Sequence, residues 1–190
     1  MLEYFFGPRN PTRTWPPGVD QTITFNLDNA SLNAVCLSES LDLLSFLGPD
    51  EDRKSFRNGE LLYPSKGLAI RFSPRSHSLV EYRIVQSDPL DDRFLPFRGT
   101  VLVNGRSVSL AALQPARFVD EYGDFYWRDT DDDESILFYE FVGMEWQIEF
   151  DRGSHLKCIT VTNEPIMCDE VQRIAYGVTA PWPPRSGKGT

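Results

Sequence analysis

The sequence lacks any long run of apolar residues, and this absence sets the first limit on what the chain does. Of its 190 residues 41% are hydrophobic, yet no stretch reaches the roughly 20 residues that a membrane-spanning helix needs. The first residues, Met1 to Phe6, lack the basic start, the long apolar segment and the small-residue cleavage site of a signal peptide. We therefore expect a cytoplasmic protein that does not bind membranes.

Cysteine and histidine are scarce, which limits disulfide and metal chemistry. The three cysteines, Cys36, Cys158 and Cys168, are an odd number at unrelated spacings, so buried reduced thiols fit better than a disulfide frame or a metal site. The two histidines, His77 and His155, stand in equivalent turns before predicted strands, which favours a structural role over nucleophilic catalysis. No cofactor is predicted.

Known catalytic motifs are also absent. The sequence contains no Gly-x-Ser-x-Gly, no phosphate-binding glycine loop and no His-Glu-x-x-His. Glu145 and Glu149 could flank a substrate as acid and base, but a solvated strand face explains the same pair more simply. We predict a protein without enzymatic activity.

Positive charge is in short supply as well. The chain has 19 Lys plus Arg against 28 Asp plus Glu, a net charge of -9, and its basic residues are scattered singly. Binding to nucleic acid phosphates is therefore not expected. An acidic surface favours solubility, and it also favours docking to a basic protein.

What the sequence does contain is one pattern that occurs twice. Residues 23–85 and 101–161 each predict a strand pair, a short helix that ends at glycine, and three further strands. Such self-similarity indicates a tandem duplication. The landmarks keep a nearly constant spacing: Gly48 and Gly123 are 75 residues apart, Tyr63 and Tyr139 are 76 apart, and Leu79 and Leu156 are 77 apart.

The first unit predicts a helix from Leu37 to Leu47, with Ser38 as N-cap and Gly48 as its stop. Its leucines fall on one face, and a helix this short must dock that face on a sheet. A strand pair around the turn Asp28-Asn29 precedes it. Short turns predict an antiparallel meander after it, with strands at 60–63, 68–72 and 79–85.

The second unit predicts an Asn104-Gly105 hairpin, then a helix with Pro115 in its first turn and Gly123 at its end. Three strands follow at 135–141, 144–150 and 156–161. In the middle strand Met144, Trp146, Ile148 and Phe150 alternate with Glu145, Gln147 and Glu149, which predicts one buried and one wet face.

The predicted fold is therefore α+β, with antiparallel sheets and the helices packed on one face. The two copies span residues 1–98 and 99–190 and form one body, with the sheets either side by side or joined into one long sheet. Proline-rich arms at the two ends are predicted to be extended and anchored by Trp15 and Trp182.

A helix that ends in Leu47-Gly48 or Tyr122-Gly123, then an acidic loop, an aromatic strand and two more strands, resembles the repeat of the beta-lactamase inhibitor protein and of related small outer-membrane lipoprotein modules. The chain is also similar to uncharacterised bacterial families around the stretch from Tyr126 to Phe141. The resemblance covers about 130 residues. It implies a repeat that binds proteins through a concave sheet and carries no catalysis.

An acidic segment is the strongest candidate for a contact surface. Aromatic residues beside charge are typical of binding hot spots, and the residues concerned are Tyr126, Trp127, Asp129, Asp131, Asp132, Asp133 and Glu134. The aspartates match a calcium loop in part, but Glu134 stands where that loop requires glycine and a strand follows, so no metal is predicted.

We therefore predict a bacterial immunity protein that inhibits a toxin by covering its active site, with a basic toxin domain as partner. Two alternatives stay open. One is an enzyme or small-ligand protein with a pocket between the units, and the other is a homodimeric structural module joined through exposed strand edges. The sequence leaves monomer and homodimer undecided.

Overall fold

The computed structural model describes residues 10–18, 22–52, 54–87 and 92–181. Their fold is α+β, with many strands and few helices, as predicted. The strands are β1 Thr24–Asn26, β2 Ser31–Leu32, β3 Val35–Cys36, β4 Glu60–Tyr63, β5 Leu68–Phe72, β6 Leu79–Val85, β7 Thr100–Val103, β8 Arg106–Val108, β9 Trp127–Thr130, β10 Glu134–Phe141, β11 Met144–Asp151 and β12 Leu156–Thr162. The α-helices are α1 Pro115–Tyr122 and α2 Glu170–Ala175, and 3-10 helices span Pro11–Thr14, Leu41–Leu47, Ser55–Asn58, Pro64–Lys66 and Leu110–Ala112. None of the helices in these ranges has the length and apolar character needed to cross a membrane.

The larger sheet has seven strands in the order β4-β5-β6-β12-β11-β10-β9, and all neighbours are antiparallel. The predicted meanders are β4–β6 and β10–β12. They meet where β6 pairs with β12, with Tyr82 opposite Val161 and Ile84 opposite Ile159. Of the two predicted arrangements, the meanders therefore adopt the single long sheet.

The smaller sheet has the order β3-β2-β1-β7-β8. The Asn104-Gly105 hairpin is confirmed, and both residues have positive φ. The prediction of purely antiparallel sheets is wrong at one place, because β1 and β7 pair in parallel. These strands come from different units, and the long chain between them permits the crossover that a parallel pair needs.

The core lies between one face of the large sheet and a layer made of the small sheet, α1 and the 3-10 helices at 41–47, 55–58 and 110–112. Phe25 of β1 meets Tyr82 of β6 with ring centroids 5.9 Å apart, and Phe118 of α1 meets Phe150 of β11 at 6.1 Å. Side chains from both sheets and the helical segments form one hydrophobic cluster. The core therefore bridges the two units.

The first predicted helix is shorter than expected. Only Leu41–Leu47 is helical, as a 3-10 helix, and Ser40 is its N-cap instead of Ser38, which has φ +70°. The reason is tertiary, since Ser38 N–H donates to the Leu79 carbonyl at 2.8 Å and holds residues 38–40 against β6. Leu41, Leu44 and Leu47 are buried and the segment ends at Gly48, as predicted.

Strand β9 and helix α2 were not predicted. The residues expected to begin an acidic loop form β9, the terminal strand of the large sheet. After β12 the chain turns back and forms α2, with Met167 and Arg173 buried. This C-terminal segment covers part of the face that was predicted to be wet, and Glu145 on that face is fully buried. The prediction that the helices pack on one face is therefore wrong for α2, which lies over Glu140 on the side opposite α1.

The N-terminal arm agrees only in part with the prediction of an extended arm. Pro11–Thr14 forms a turn of 3-10 helix, while Trp15 is extended and packs against the core. Trp182 lies outside the described residues. The cysteines are free, as predicted. The predicted burial is confirmed for Cys158, whereas Cys36 is only partly buried and Cys168, just before α2, is exposed.

Candidate functional site

The residues predicted to contact a partner separate into two groups in the structure. Trp127 and Asp129 lie on β9, and the aspartates that follow form the exposed turn into β10. The Asp131 carboxylate accepts hydrogen bonds from the N–H groups of Asp133 and Glu134 at 2.7 and 2.8 Å, and these bonds lower the pKa of that carboxyl. Asp131 therefore shapes the turn, and its neighbours carry the exposed charge.

Glu134 and Tyr126 have partners within the chain. Glu134 forms an ion pair with Lys157. Tyr126 points away from the acidic turn, and its hydroxyl donates to Oε2 of Glu145 at 2.6 Å. The structure thus places Tyr126 with a second, buried group of polar residues.

That buried group contains two carboxyl groups on neighbouring strands. Glu140 of β10 lies directly opposite Glu145 of β11. The Glu140 side chain is 4% exposed and Glu145 is 0% exposed. Glu140 forms an ion pair with Arg173 of α2, whose guanidinium carbon lies 5.0 Å from the centre of the Tyr126 ring.

Burial raises the pKa of both carboxyls, because each charge has lost much of its hydration. The bond to Arg173 opposes this effect at Glu140, and hydrogen bonds from Tyr126 and Gln147 oppose it at Glu145. The pKa of Tyr126 lies well above its usual value, first through burial and then through its bond to Glu145. Tyr126 is therefore a fixed hydrogen-bond donor.

Arg173 also holds the C-terminal segment on the sheet. Asp169 caps α2 by accepting from the Gln172 N–H at 2.7 Å, which orients the helix that carries Arg173. Nε of Arg173 donates to the Met167 carbonyl at 3.0 Å and Nη1 donates to the Ala180 carbonyl at 2.9 Å. One arginine thus links Glu140 to both ends of the segment.

A cavity of about 260 Å³ opens beside this cluster. Its walls include Tyr122, Asp124, Tyr126, Tyr139, Glu140 and Phe141, with Ala180 and Pro181 of the C-terminal segment completing them. Consecutive strand residues face opposite sides of a sheet, so a cavity lined by both Tyr139 and Glu140 lies at the sheet edge.

The edge is open there because β9 ends early. The Tyr126 N–H still donates to the Phe138 carbonyl at 2.9 Å, but β9 pairs only with residues 135–138 of β10. The N–H and C=O groups of residues two positions apart point to the same side of a strand. Those of Glu140, two residues after Phe138, therefore point toward the cavity. In the described ranges no strand pairs with β10 on this side beyond Phe138, whereas β11 pairs with its other side.

Among the described residues, two buried polar side-chain atoms near this edge of the sheet have no hydrogen-bond partner. They are the hydroxyl of Tyr139, a residue 3% exposed, and Nε1 of Trp146. Unpaired buried groups are rare in native proteins and each costs about 1–3 kcal/mol. Burial, followed by the charge of Asp124, raises the pKa of Tyr139 to about 12, so its hydroxyl stays protonated. The Tyr139 side chain therefore lines the cavity while its hydroxyl is buried without a partner.

The sequence did not predict this cavity. Of the residues that line it, only Tyr126 was predicted to be a site residue. The proposed acid and base pair, Glu145 and Glu149, does not face an open space at Glu145, which accepts from Tyr126, from Gln147 at 2.9 Å and from the Ile166 N–H at 3.4 Å. Alternation in β11 could not reveal that a later segment covers its polar face.

Comparisons with known proteins give little further guidance. No protein-family model matches the chain, and no curated protein matches it. A solved structure that it resembles is a DUF4309 family protein, YjgB from Bacillus subtilis, with 14% sequence identity and a TM-score of 0.44 over 65% of this chain and 76% of that one. A likeness at this level carries no argument about function. The resemblance to the inhibitor repeat stays a prediction.

Proposed function

We propose that this protein is a non-enzymatic binding protein, and that it docks a basic protein partner along the edge formed by β9 and the turn that follows. The observation that carries the proposal is the position of β9, which is the terminal strand of the described sheet and has three of its four residues exposed. A terminal strand offers unpaired backbone groups to a second chain.

The charge on this edge supports a basic partner. Asp129, Asp132 and Asp133 are exposed, and the nearest described cation to Asp133 is the exposed Arg152 at 3.6 Å. Complementary charge speeds encounter and fixes the orientation of docking. Trp127 supplies an apolar anchor: its ring packs 4.5 Å from that of Phe138 and 5.6 Å from that of Tyr176, and the residue remains partly exposed.

The most specific form of this proposal is a cytoplasmic bacterial immunity protein that covers the active site of a toxin. Its supports are the net charge of -9, the exposed acidic edge and the resemblance to an inhibitory repeat. A tandem duplication is part of the proposal. Two hydrogen bonds at corresponding positions of the two units support it. In the first unit the Glu51 N–H donates to the Leu62 carbonyl at 3.0 Å, and in the second the Tyr126 N–H donates to the Phe138 carbonyl.

The test is capture of the partner with a charge-neutralised edge. The variant Asp129→Asn/Asp132→Asn/Asp133→Asn removes three charges and keeps Asp131, which shapes the turn. A matched control, Asp42→Asn/Asp120→Asn/Glu170→Gln, removes three charges from exposed positions elsewhere. The partner captured by the wild type is purified and titrated against all three proteins at low and at high salt.

We expect the edge variant to bind about tenfold more weakly or worse, mainly through slower association, and the control to match the wild type. Equal binding by both variants would remove the edge from the interface. Failure to capture any protein, with the chain a monomer, would instead contradict protein binding. For the immunity function, co-expression must protect cells from the captured toxin.

A further inference from the structure

The exposed apolar side chains of this protein are concentrated in its C-terminal segment, residues 163–181. Among the described residues seven large apolar side chains are well exposed, and four of them lie between positions 166 and 176. These four are Ile166, Val171, Ile174 and Tyr176. Single exposed apolar residues are ordinary, whereas a group of them marks an interaction surface. The segment therefore carries apolar surface that the fold itself does not cover.

Helix α2 presents two of these side chains to solvent on one face. Val171 and Ile174 are 79% and 78% exposed, and their spacing of three residues places them side by side on a helix. Arg173 lies on the other side of α2, is buried, and pairs with Glu140 of the sheet. A helix of six residues is not stable alone, and this arginine holds it on the sheet. The outward face is thus fixed in position although its own apolar residues contribute little to the fold.

The exposed face of α2 is continuous with the β9 edge. Tyr176 follows α2, and its ring centroid lies 5.6 Å from that of Trp127 on β9. Trp127 stands opposite Phe138, two residues before Glu140 on β10, so it points to the same face of the sheet that Glu140 and α2 occupy. A chain that pairs with β9 therefore meets Trp127 and Tyr176 first and the exposed side of α2 next.

We propose that Val171, Ile174 and Tyr176, here called the α2 face, form the apolar centre of the partner interface and bind apolar side chains of a basic segment in that partner. The segment has apolar residues that alternate with lysine or arginine. This chemistry deepens the proposed function and rests on it, because the basic partner supplies the segment. Interfaces commonly have an apolar centre within a polar rim, and the centre supplies most of the affinity.

The edge beside the α2 face is acidic, so the rim of the partner must be basic. Three exposed carboxylates lie on that edge: Asp129, Asp132 and Asp133. The cation of β9 is Arg128, whose Nε donates to the Ser135 hydroxyl at 2.9 Å, and the cation of α2 is the buried Arg173. The exposed charge is therefore negative on balance, which attracts a basic segment and repels an acidic one.

The same charges weigh against a second copy of the chain and against a membrane surface. A symmetric pair of copies would place the same surface on both sides, so the three carboxylates of the edge would meet their own kind, and each chain carries a net charge of -9. A helix that lies on a membrane has lysine or arginine beside its apolar face, whereas the basic residue of α2, Arg173, is buried.

The experiment measures the binding of three labelled peptides of about ten residues to the full chain by fluorescence anisotropy. The first alternates lysine with valine, the second lysine with serine, and the third glutamate with valine. We expect the lysine–valine peptide to bind about tenfold more tightly than either of the others, or better, because it alone matches both the charge and the apolar face. Equal binding of the first two peptides, or no binding of the lysine–valine peptide, would overturn the proposal.

A pair of matched variants locates the contact. Val171→Ala/Ile174→Ala removes most of the apolar face and introduces the best helix former, so α2 is retained. Leu43→Ala/Val142→Ala is the control, because these residues are 51% and 72% exposed and lie elsewhere. We expect the α2 variant to bind the lysine–valine peptide about tenfold more weakly or worse and the lysine–serine peptide as the wild type does, and the control to match the wild type. Equal losses in both variants would contradict the assigned face. Circular dichroism checks that each variant is folded.

The edge variant makes the failures of the two proposals distinguishable. If it loses the lysine–valine peptide while the α2 variant binds as the wild type does, the docking edge is retained and the α2 face is overturned. The reverse result would overturn the docking edge and retain the α2 face. Sedimentation of the chain alone tests the second copy as occupant. A wild-type dimer that dissociates in the α2 variant would assign the face to self-association and overturn the proposal.

Discussion

Each meander follows a helical segment, Leu41–Leu47 in the first unit and α1 in the second. The two segments end in similar backbone conformations but in different surroundings. Gly48 ends the first segment with φ 81° and ψ -173°, and Gly123 ends α1 with φ 79° and ψ -162°. A tyrosine of the next meander follows each glycine at nearly the same spacing, 15 residues after Gly48 and 16 after Gly123. Tyr63 donates its hydroxyl to the Gly48 carbonyl at 3.0 Å, whereas the hydroxyl of Tyr139 has no partner.

The difference arises from what covers each end. At the first end, Asp50 is 2% exposed and accepts from Asn10 at 3.2 Å and from the Leu62 N–H at 3.0 Å, which joins the N-terminal segment to β4. At the second end, Phe125 follows at the corresponding spacing and makes no such link. The comparison teaches that one backbone arrangement can be sealed for stability or left open as a cavity.

The largest expected difference is between the stability losses caused by alanine at Gly48 and at Gly123. The conformation of both residues is accessible almost only to glycine, so alanine at either position costs about 1–3 kcal/mol. At Gly48 an added Cβ would also come within 2.4 Å of the Gly18 nitrogen, while at Gly123 nothing lies within 4 Å. We therefore expect Gly48→Ala to lower the free energy of unfolding clearly more than Gly123→Ala, as measured by urea denaturation. Equal losses would mean that the first end is no more tightly covered than the second.

A smaller effect, with a change of sign, separates the two tyrosines. Tyr63→Phe leaves the Gly48 carbonyl without its donor and should cost about 1 kcal/mol. Tyr139→Phe removes a hydroxyl that is buried without a partner, so it should leave the free energy of unfolding unchanged or raise it. Thermal unfolding of the two variants decides this. A destabilised Tyr139→Phe would show that this hydroxyl has a partner in solution.

The smallest expected effect is a pH dependence at the second end. Burial raises the folded-state pKa of Glu145 above its ordinary value of 4.5, so the folded protein favours the protonated form. The stability that this protonation gives is complete below pH 4.5 and is lost as the pH rises through the folded-state pKa. Glu145→Gln cannot ionise, and we expect it to gain stability relative to the wild type as the pH is raised from 4 towards neutrality.

Urea denaturation at several pH values measures that difference. The exposed Glu170→Gln serves as the control and should follow the wild type at every pH. A difference between Glu145→Gln and the wild type that does not change with pH would contradict a raised pKa. The groups that face Glu145 are Tyr126, Glu140 and Arg173, and the charge of Glu145 adds to the raised pKa of Glu140, so Glu145→Gln also removes that contribution.

The strands were the best-predicted part of the fold. The bounds of β4, β5 and β6 agree with the prediction residue by residue, because alternating side chains and turn residues are local signals. The helix stops at Gly48 and Gly123 were predicted for the same reason. Strand β9 was missed because its polar residues, such as Asp129, resemble a loop, and only pairing with β10 makes them a strand.

The candidate sites could be predicted less well. The sequence indicated the acidic turn, where exposure and charge follow from composition. It gave no signal for the cavity, because Tyr139 reads as an ordinary core residue and Glu145 as a wet one. The burial of both residues depends on where the segment that carries Arg173 returns to the sheet. Arg173 meets Glu140 there, although the two residues are 33 positions apart in the chain.

The sequence by itself determined the α+β composition, the six strands of the two meanders, the glycine stops and the acidic character of one edge. These features arise from local periodicity, backbone preference and charge, which neighbouring residues set. The tertiary structure alone decided that β6 joins β12 in one sheet, that Glu140 and Glu145 are buried, and that the cavity beside Tyr139 stays open. Each of these results depends on which distant segment covers a surface, and burial and hydrogen bonding across such distances leave no local pattern in the chain.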